Sequence, residues 1–138
     1  MATLVLDASA ALSWFMPGEM DETAQDVFQR AGAEGAIVPS LWWIEVGNTF
    51  LLAVRRQRMS REQRDAASSA LTAMPIETDA NSLAGIWTMT LALADRHALT
   101  LYDACDLELS YRLELPLASR DRALRRAAQS LGIDLVGL

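Results

Sequence analysis

The chain contains one cysteine, one histidine and no lysine, since all 12 of its basic residues are arginine. A disulfide framework and a multi-cysteine zinc cluster are therefore excluded, and a site built from several histidines is not expected. The lack of lysine also excludes a P-loop phosphate clamp and a Schiff-base enzyme. No run approaches the roughly 20 apolar residues that span a bilayer, and the N-terminal segment lacks the basic region of a signal peptide. These absences predict a cytoplasmic protein without membrane association.

Carboxylates are the chemically versatile side chains that remain abundant. The 138 residues include 18 acidic side chains, and the formal charge of −6 disfavours non-specific attraction of nucleic acid over the whole surface. Hydrophobic residues make up 51% of the chain, and no linker, repeat or low-complexity segment interrupts it. The length and composition together predict a single domain over residues 1–138.

Short apolar runs alternate with longer helical patterns along the chain. The predicted strands cover residues 3–6, 36–38, 75–78, 115–118 and 135–136. The predicted helices cover residues 8–15, 21–30, 42–54, 60–73, 79–95, 101–113 and 121–131. Such alternation predicts an α/β fold, a three-layer sandwich with helices on both faces of a mostly parallel sheet of about five short strands.

Four acidic residues follow predicted strands, where ligands bind in open parallel sheets. Asp7 comes directly after the first strand, and Glu45 lies in the first turn of the helix that follows the second. Asp103 lies at the start of the helix at 101–113, and Asp121 follows the strand at 115–118. We predict that these four side chains form one acidic pocket.

Helix capping is the competing interpretation for three of these residues. Asp7 and Asp121 are good N-cap residues, and Asp103 can complete a capping box with Thr100. Glu45 is different, because it interrupts a strongly apolar helix in which an unpaired charge would be costly. Asn48, three residues further on, shares its helix face.

Clustered carboxylates raise one another's pKa unless a cation compensates them. Mg²⁺ and Mn²⁺ prefer oxygen ligands and suit a site that lacks histidine and thiolate. Such ions promote phosphodiester cleavage by activating water and stabilising the leaving oxygen. The pattern therefore favours a divalent-cation site that acts on phosphate esters.

The chain resembles the PIN-domain ribonucleases, and among them the VapC-type toxins of bacterial toxin–antitoxin pairs. The resemblance rests on four motifs in order, VLDASA at 5–10, EVGN at 45–48, YDA at 102–104 and LASRDRAL at 117–124. It implies a PIN-like fold and a metal-dependent endoribonuclease, with Mg²⁺ or Mn²⁺ held by Asp7, Glu45, Asp103 and Asp121. It further implies supporting roles for the hydroxyls of Ser9 and Ser119. A homodimer and a cognate antitoxin protein are the partners it implies besides RNA.

Asp106 departs from that resemblance, since VapC-like chains often have an uncharged residue at this position. It lies on the helix face of Asp103, where it could be a fifth acidic residue that touches metal-bound water or a solvated charge on the helix surface. We favour the solvated charge, because Glu108 and Glu114 follow in or just after the same helix.

Two groups of arginines accompany the acidic motifs. Arg120 and Arg122 flank Asp121, where a guanidinium could bind an RNA phosphate, although a solvated helix surface is the alternative. A second group of five arginines lies between residues 55 and 64 and could guide RNA or face an antitoxin.

The remaining candidates favour structural roles. His97 is expected near a helix end, Cys105 as a buried apolar group, and Trp14 and Trp87 in the core or an interface. A phosphate-accepting receiver domain is disfavoured by the lack of lysine. The main alternative function is a non-catalytic PIN-like module that binds RNA or protein, and nothing in the sequence itself distinguishes RNA from DNA.

Overall fold

Four short parallel strands form the centre of the fold in a computed structural model that describes residues 1–137. Leu138, the last residue of the predicted domain, lies outside the described residues. The strands follow the order β3-β2-β1-β4 across the sheet, and Val5 pairs with Ile37 on one side and with Leu117 on the other. The strands are β1 (Val5–Leu6), β2 (Ala36–Val38), β3 (Ile76–Thr78) and β4 (Leu117–Ala118).

Seven α-helices and one π-helical turn connect and cover these strands within residues 1–137. The helices are α1 (Ala8–Leu12), α2 (Glu22–Glu34), α3 (Trp42–Arg55), α4 (Arg61–Ala73), α5 (Leu91–His97), α6 (Leu101–Leu113) and α7 (Arg122–Ser130), and the π-helical turn is Ile86–Thr90. The predicted capping box at the start of α4 is present, with Ser60 and Gln63 bonded reciprocally.

The sheet separates two apolar cores because successive strand side chains point to opposite faces. Leu4 and Leu6 belong to the core formed with α1, α2, α3 and α4. Val5 between them belongs to the other core, formed with α5, α6 and α7. Ala118 and Leu117 divide between the two cores in the same way. The predicted α/β architecture, with helices on both faces of a parallel sheet, is confirmed.

Two details of the predicted element pattern differ in the structure. The fifth strand is reduced to a single parallel bridge between Leu135 and Leu117, so the described sheet has four strands. The long helix expected from Asp79 is replaced by a turn, the π-helical turn and the short α5. Asp79 caps no helix there, because its carboxylate binds Arg112 at 2.6 Å.

Arg112 links two buried acids. Its guanidinium binds Asp79 and, at 2.8 Å, Glu108 one turn earlier in α6. Burial by itself would raise the pKa of Asp79, but the hydrogen bonds from Arg112 and Ser82 together hold it below its usual value. The ion pair between Arg112 and Asp79 thus attaches the segment before the π-helical turn to α6.

Replacement of Arg112 by methionine is expected to lower the free energy of unfolding by about 2 kcal/mol at neutral pH. The apolar chain length is kept, but two buried carboxylates lose their shared cation. Arg64→Met removes an exposed pair with Asp65 and serves as the control, with an expected loss below about 1 kcal/mol. Urea unfolding measures both, and equal losses for the two variants would contradict the role given to Arg112.

The carboxyl ends of all four strands meet at one edge of the sheet, because the strands are parallel. Asp7 follows β1 and Ser119 follows β4 at this edge, and α3 begins shortly after β2. None of the described helices is both long and apolar enough to cross a membrane. The sheet edge is where the acidic residues collect.

Candidate metal centre

Asp7 lies at the centre of the acidic site. It comes directly after β1 and is the N-cap of α1, with the Ser9 backbone N–H donating to its Oδ1 at 3.0 Å. Only 2% of the residue is exposed. The same carboxylate therefore caps α1 and lies at the sheet edge where the sequence predicted an acidic pocket.

Two serine hydroxyls fix the second oxygen of Asp7. Ser9 Oγ donates to Oδ2 at 2.7 Å, and Ser119 Oγ donates a further short hydrogen bond to the same atom. The backbone N–H of Asp121 donates to Ser119 Oγ at 3.0 Å, and that of Arg120 donates to Ser9 Oγ, also at 3.0 Å. The loop after β4 is thereby tied to the loop after β1, and the Asp7 side chain has one orientation.

Asp7, Asp103 and Asp106 form the tightest group of carboxylates. Each offers one oxygen, and the three oxygens lie within 4.8 Å of one another. Thr100 accepts from the backbone N–H of Asp103 and caps α6, which leaves the Asp103 carboxylate turned toward this group. The expectation that Asp106 is a solvated surface charge is wrong, since it is 2% exposed. The reason is that α6 is buried along most of its length, so its acidic residues do not mark a solvent face.

Glu45 and Asp121 bring two more negative charges to the same edge. Glu45 in the first turn of α3 interacts electrostatically with Asp7 and Asp103, and Asp121 does so with the same two residues. Asp121 also caps α7, since its Oδ1 accepts from the Leu124 N–H at 2.8 Å. The structure thus groups Asp7 and Asp103 closely with Asp106, whereas Glu45 and Asp121 lie outside that close group and interact with it electrostatically.

The pKa values of this group are shifted upward. Burial, reinforced by Asp7 and Asp103, raises the pKa of Glu45 to about 7. Burial, reinforced by Asp7 and Asp121, raises the pKa of Asp103 to about 6. Burial is also the main reason that the pKa of Asp7 is raised and that of Asp106 lies well above its usual range. These carboxylates are unstable as a set of bare anions.

The donor set fits a hard divalent cation. No arginine or histidine within residues 1–137 forms an ion pair with any of the five carboxylates. Clustered buried carboxylates without a basic partner require protons or a cation, and carboxylate oxygens are the ligands that Mg²⁺ and Mn²⁺ prefer. Asp7 and Asp103 offer such oxygens close together, with Glu45 and Asp121 adding charge around them.

The arginines predicted to bind phosphate lie beside the site. Arg120 forms an exposed ion pair with Asp21, the N-cap residue of α2, at 3.1 Å. Arg122 is exposed at the first residue of α7, next to Asp121. Asn48 is exposed one turn beyond Glu45 on α3. The roles given to these three residues stay predictions.

The other candidates do not belong to the close group of Asp7, Asp103 and Asp106. Cys105 is buried, and burial raises the pKa of its thiol to about 11, so it is a poor nucleophile. His97 ends α5, and Trp14 lies in the core as expected. Trp87 is 81% exposed in the π-helical turn, which excludes the core alternative and leaves an interface. The arginines between 55 and 64 lie from the end of α3 to the first turns of α4.

Removal of the Ser119 hydroxyl by alanine is expected to reduce divalent-cation affinity about 10–100-fold, since it frees the Asp7 carboxylate to rotate. Ser119→Thr retains the hydroxyl and should keep most of the affinity. Calorimetric titration with Mn²⁺ measures both variants. Wild-type affinity in Ser119→Ala would mean that Ser9 alone orients Asp7.

The fold and the site together define an α/β protein with a carboxylate centre at the carboxyl edge of its parallel sheet. The PIN domain family matches residues 4–130, and the chain belongs to that family. No curated protein matches the sequence.

Three solved structures share the fold at low sequence identity. PAE2754 from Pyrobaculum aerophilum has a TM-score of 0.64 at 20% identity, with 91% of this chain and 84% of that chain covered. FitAcB from Neisseria gonorrhoeae has a TM-score of 0.66 at 13% identity, with 96% of both chains covered. A toxin–antitoxin complex from Klebsiella pneumoniae has a TM-score of 0.58 at 19% identity, with 87% of both chains covered. At these identities the likeness is one of fold.

Proposed function

We propose that this protein is a divalent-cation-dependent endoribonuclease and acts as the toxin of a toxin–antitoxin pair. The observation that carries the proposal is the group of carboxylates around Asp7, which has no basic partner within residues 1–137. Membership of the PIN domain family supports a nuclease, and the motifs resembling VapC-type toxins support RNA as the substrate. Mg²⁺ and Mn²⁺ are the cations proposed.

The four predicted acidic residues have distinct tasks in this proposal. Asp7 and Asp103 hold the cation, while Asp121 adds negative charge beside them and fixes the start of α7. A divalent cation bound there would supply a positive charge that polarises a phosphate oxygen and lowers the pKa of a water molecule. Glu45 at the margin of the group orients the attacking water through its carboxylate oxygens. Ser9 and Ser119 keep Asp7 in place.

Arginines next to the carboxylates would bind the RNA backbone. The site itself carries several negative charges, so it repels a polyanion unless cations compensate it. Arg122 is exposed beside Asp121, and Arg120 is exposed one residue before it. A guanidinium binds a phosphate through two hydrogen bonds, which suits these positions. Asn48, on α3, could donate a hydrogen bond to the same bound RNA.

A cognate antitoxin and a second copy of the chain are the proposed protein partners. One structure with this fold is a toxin–antitoxin complex, which supports the first. Four exposed apolar side chains in or next to the π-helical turn support the second, because clustered exposed apolar residues often mark interfaces. These residues are Leu83, Trp87, Met89 and Leu91. Sedimentation velocity would measure whether the chain forms a dimer. We also propose that the protein acts in the cytoplasm.

Cleavage of total cellular RNA by the purified chain, freed of antitoxin, tests the proposed function. The reaction is run with Mg²⁺, with Mn²⁺ and with EDTA, and the cut ends are mapped. Discrete cuts that disappear with the chelator support the nuclease and name its target. Well-folded protein that binds Mn²⁺ and cuts no RNA would favour the non-catalytic binding module instead.

A further inference from the structure

Asp106 is the carboxylate of this site that the strand-end pattern does not explain. It lies three residues after Asp103 within α6, not at the end of a strand. It is 2% exposed, and no side chain within residues 1–137 pairs with it through an ion pair. The charged groups that surround it are Asp7, Glu45 and Asp103, all of them acidic. An acid in such a place destabilises the fold unless something compensates it.

The geometry of Asp106 is that of a ligand. One of its carboxylate oxygens lies within 4.8 Å of an oxygen of Asp7 and of an oxygen of Asp103. Two oxygens on one Mg²⁺ or Mn²⁺ lie at most about 4.2 Å apart, because ligand distances are about 2.1 Å, so small side-chain rotations would bring all three oxygens onto one cation. The helix supports this arrangement, since residues three apart in α6 share one face.

Asp121 is placed differently. Its Oδ1 accepts from the Leu124 N–H at 2.8 Å and so stabilises the start of α7. It influences Asp7 and Asp103 electrostatically but is not part of the group whose oxygens lie within 4.8 Å. Its carboxylate already has a structural partner, whereas that of Asp106 has none among the side chains described.

We propose that Asp106 is a direct ligand of the divalent cation, together with Asp7 and Asp103, and that Asp121 acts on the cation from outside this set. The inference rests on the proposed cation site, but it assigns a residue that the four-carboxylate pattern leaves out. The chain thereby holds its cation with two acids from one helix, α6, and one from the loop after β1.

Matched asparagine substitutions test the proposal through binding of Mn²⁺ alone. Asp106→Asn and Asp121→Asn remove the same charge at the same side-chain size, and asparagine still caps α7 at position 121. We expect Asp106→Asn to weaken Mn²⁺ binding about 100-fold or more, and Asp121→Asn about 10-fold or less, in calorimetric titrations. Equal losses, or a larger loss in Asp121→Asn, would overturn the proposal. Thermal melts in EDTA verify that both variants fold.

Thiolate substitutions report contact with the cation directly. Cys105→Ala is introduced first, so that the only thiol is the one placed at position 106 or, in the control, at position 121. Cysteine in place of a ligand should shift preference from Mn²⁺ toward Cd²⁺, with a thiolate-to-cadmium absorption band in the near ultraviolet. We expect the band for Asp106→Cys and its absence for Asp121→Cys. A band for Asp121→Cys alone would overturn the assignment.

These measurements separate the inference from the proposed function, because neither uses RNA. Wild-type protein that binds Mn²⁺ with full dependence on Asp106 but cuts no RNA would leave the ligand assignment intact and refute the nuclease. If Asp106→Asn binds Mn²⁺ with wild-type affinity and still cleaves RNA in a cation-dependent reaction, the ligand assignment is refuted and the nuclease is supported.

Discussion

Asp7→Asn is expected to reduce cation-dependent RNA cleavage by about 100-fold or more. Loss of a residue that only orients a ligand typically costs 10–100-fold, and Asp7 is the carboxylate that the two serines orient. The amide keeps one oxygen but removes the negative charge that holds the cation. The rate is measured on total RNA, and then on the mapped target, with Mn²⁺ and with EDTA.

The asparagine variant should fold as well as the wild type. Asparagine caps helices as well as aspartate does, so the Ser9 N–H at the start of α1 keeps an acceptor. Removing a buried charge also relieves repulsion from Asp121 and Asp103, which offsets the loss of the oxygen that accepts from the Ser9 and Ser119 hydroxyls, so the Tm in EDTA should stay close to that of the wild type. Lost activity with undiminished stability would identify Asp7 as functional and not structural.

Asp26→Asn is the matched control for this substitution. Asp26 is exposed on α2, and its replacement changes the net charge by the same amount without touching the acidic site. It should cleave at the wild-type rate. If Asp7→Asn also cleaves at that rate and at the same positions, cleavage does not depend on this centre and the proposed mechanism is wrong.

The sequence predicted the sheet well because its local patterns agree with the tertiary contacts. The apolar run after Thr3 and the run at Ala36–Val38 form strands with helices packed on both faces. An uninterrupted run of β-branched or apolar residues indicates such a strand. The segment from Asp79 was mispredicted for a tertiary reason. Asp79 looks like an N-cap in sequence, but Arg112, 33 residues away, binds its carboxylate in the fold.

A candidate site residue could be predicted where its charge conflicts with the apolar residues next to it in the sequence. Glu45 interrupts an apolar helix, and that mismatch marks it as a site candidate, which in the fold is half-buried near Asp7 and Asp103 and has a raised pKa. Asp106 gave no comparable signal, because α6 contains other acids and its amphipathic pattern is weak. Glu108 looked like evidence of a solvated face, yet it is buried and paired with Arg112. Only the contacts reveal that Glu108 pairs with Arg112, whereas Asp106 faces other acids.

Arg120 illustrates the limit of reasoning from neighbours in sequence. Its position beside Asp121 predicts a phosphate contact, which stays a prediction, and in the fold its guanidinium pairs with Asp21, 99 residues earlier. Its backbone N–H meanwhile donates to Ser9 Oγ, so the residue contributes to the site through its main chain. Sequence spacing predicts which residues are near one another, and not which way a long side chain points.

The stability of the cation-free protein is expected to fall as pH rises from about 5 to 8. The pKa of Glu45 is raised from 4.5 to about 7 and that of Asp103 from 3.8 to about 6, so the folded state binds more protons than the unfolded state in this interval. The free energy of unfolding then decreases with pH, since it falls wherever the folded state holds the extra protons. Thermal melts in EDTA measure the trend, and a Tm that rises over this interval would contradict it.

Divalent cation should reverse that trend, because it replaces the protons as the compensating charge. At pH 8, where the carboxylates are ionised, Mn²⁺ at about 100 times its Kd is expected to stabilise the fold by about 2.7 kcal/mol, or roughly 8 °C in Tm. Near pH 5 protons compete for the same oxygens, so the gain should be small. Asp7→Asn should lose the gain at both pH values, whereas Asp26→Asn should keep it. A gain that is the same at pH 5 and pH 8 would mean that Mn²⁺ binds away from Glu45 and Asp103, the two acids whose raised pKa values define this centre.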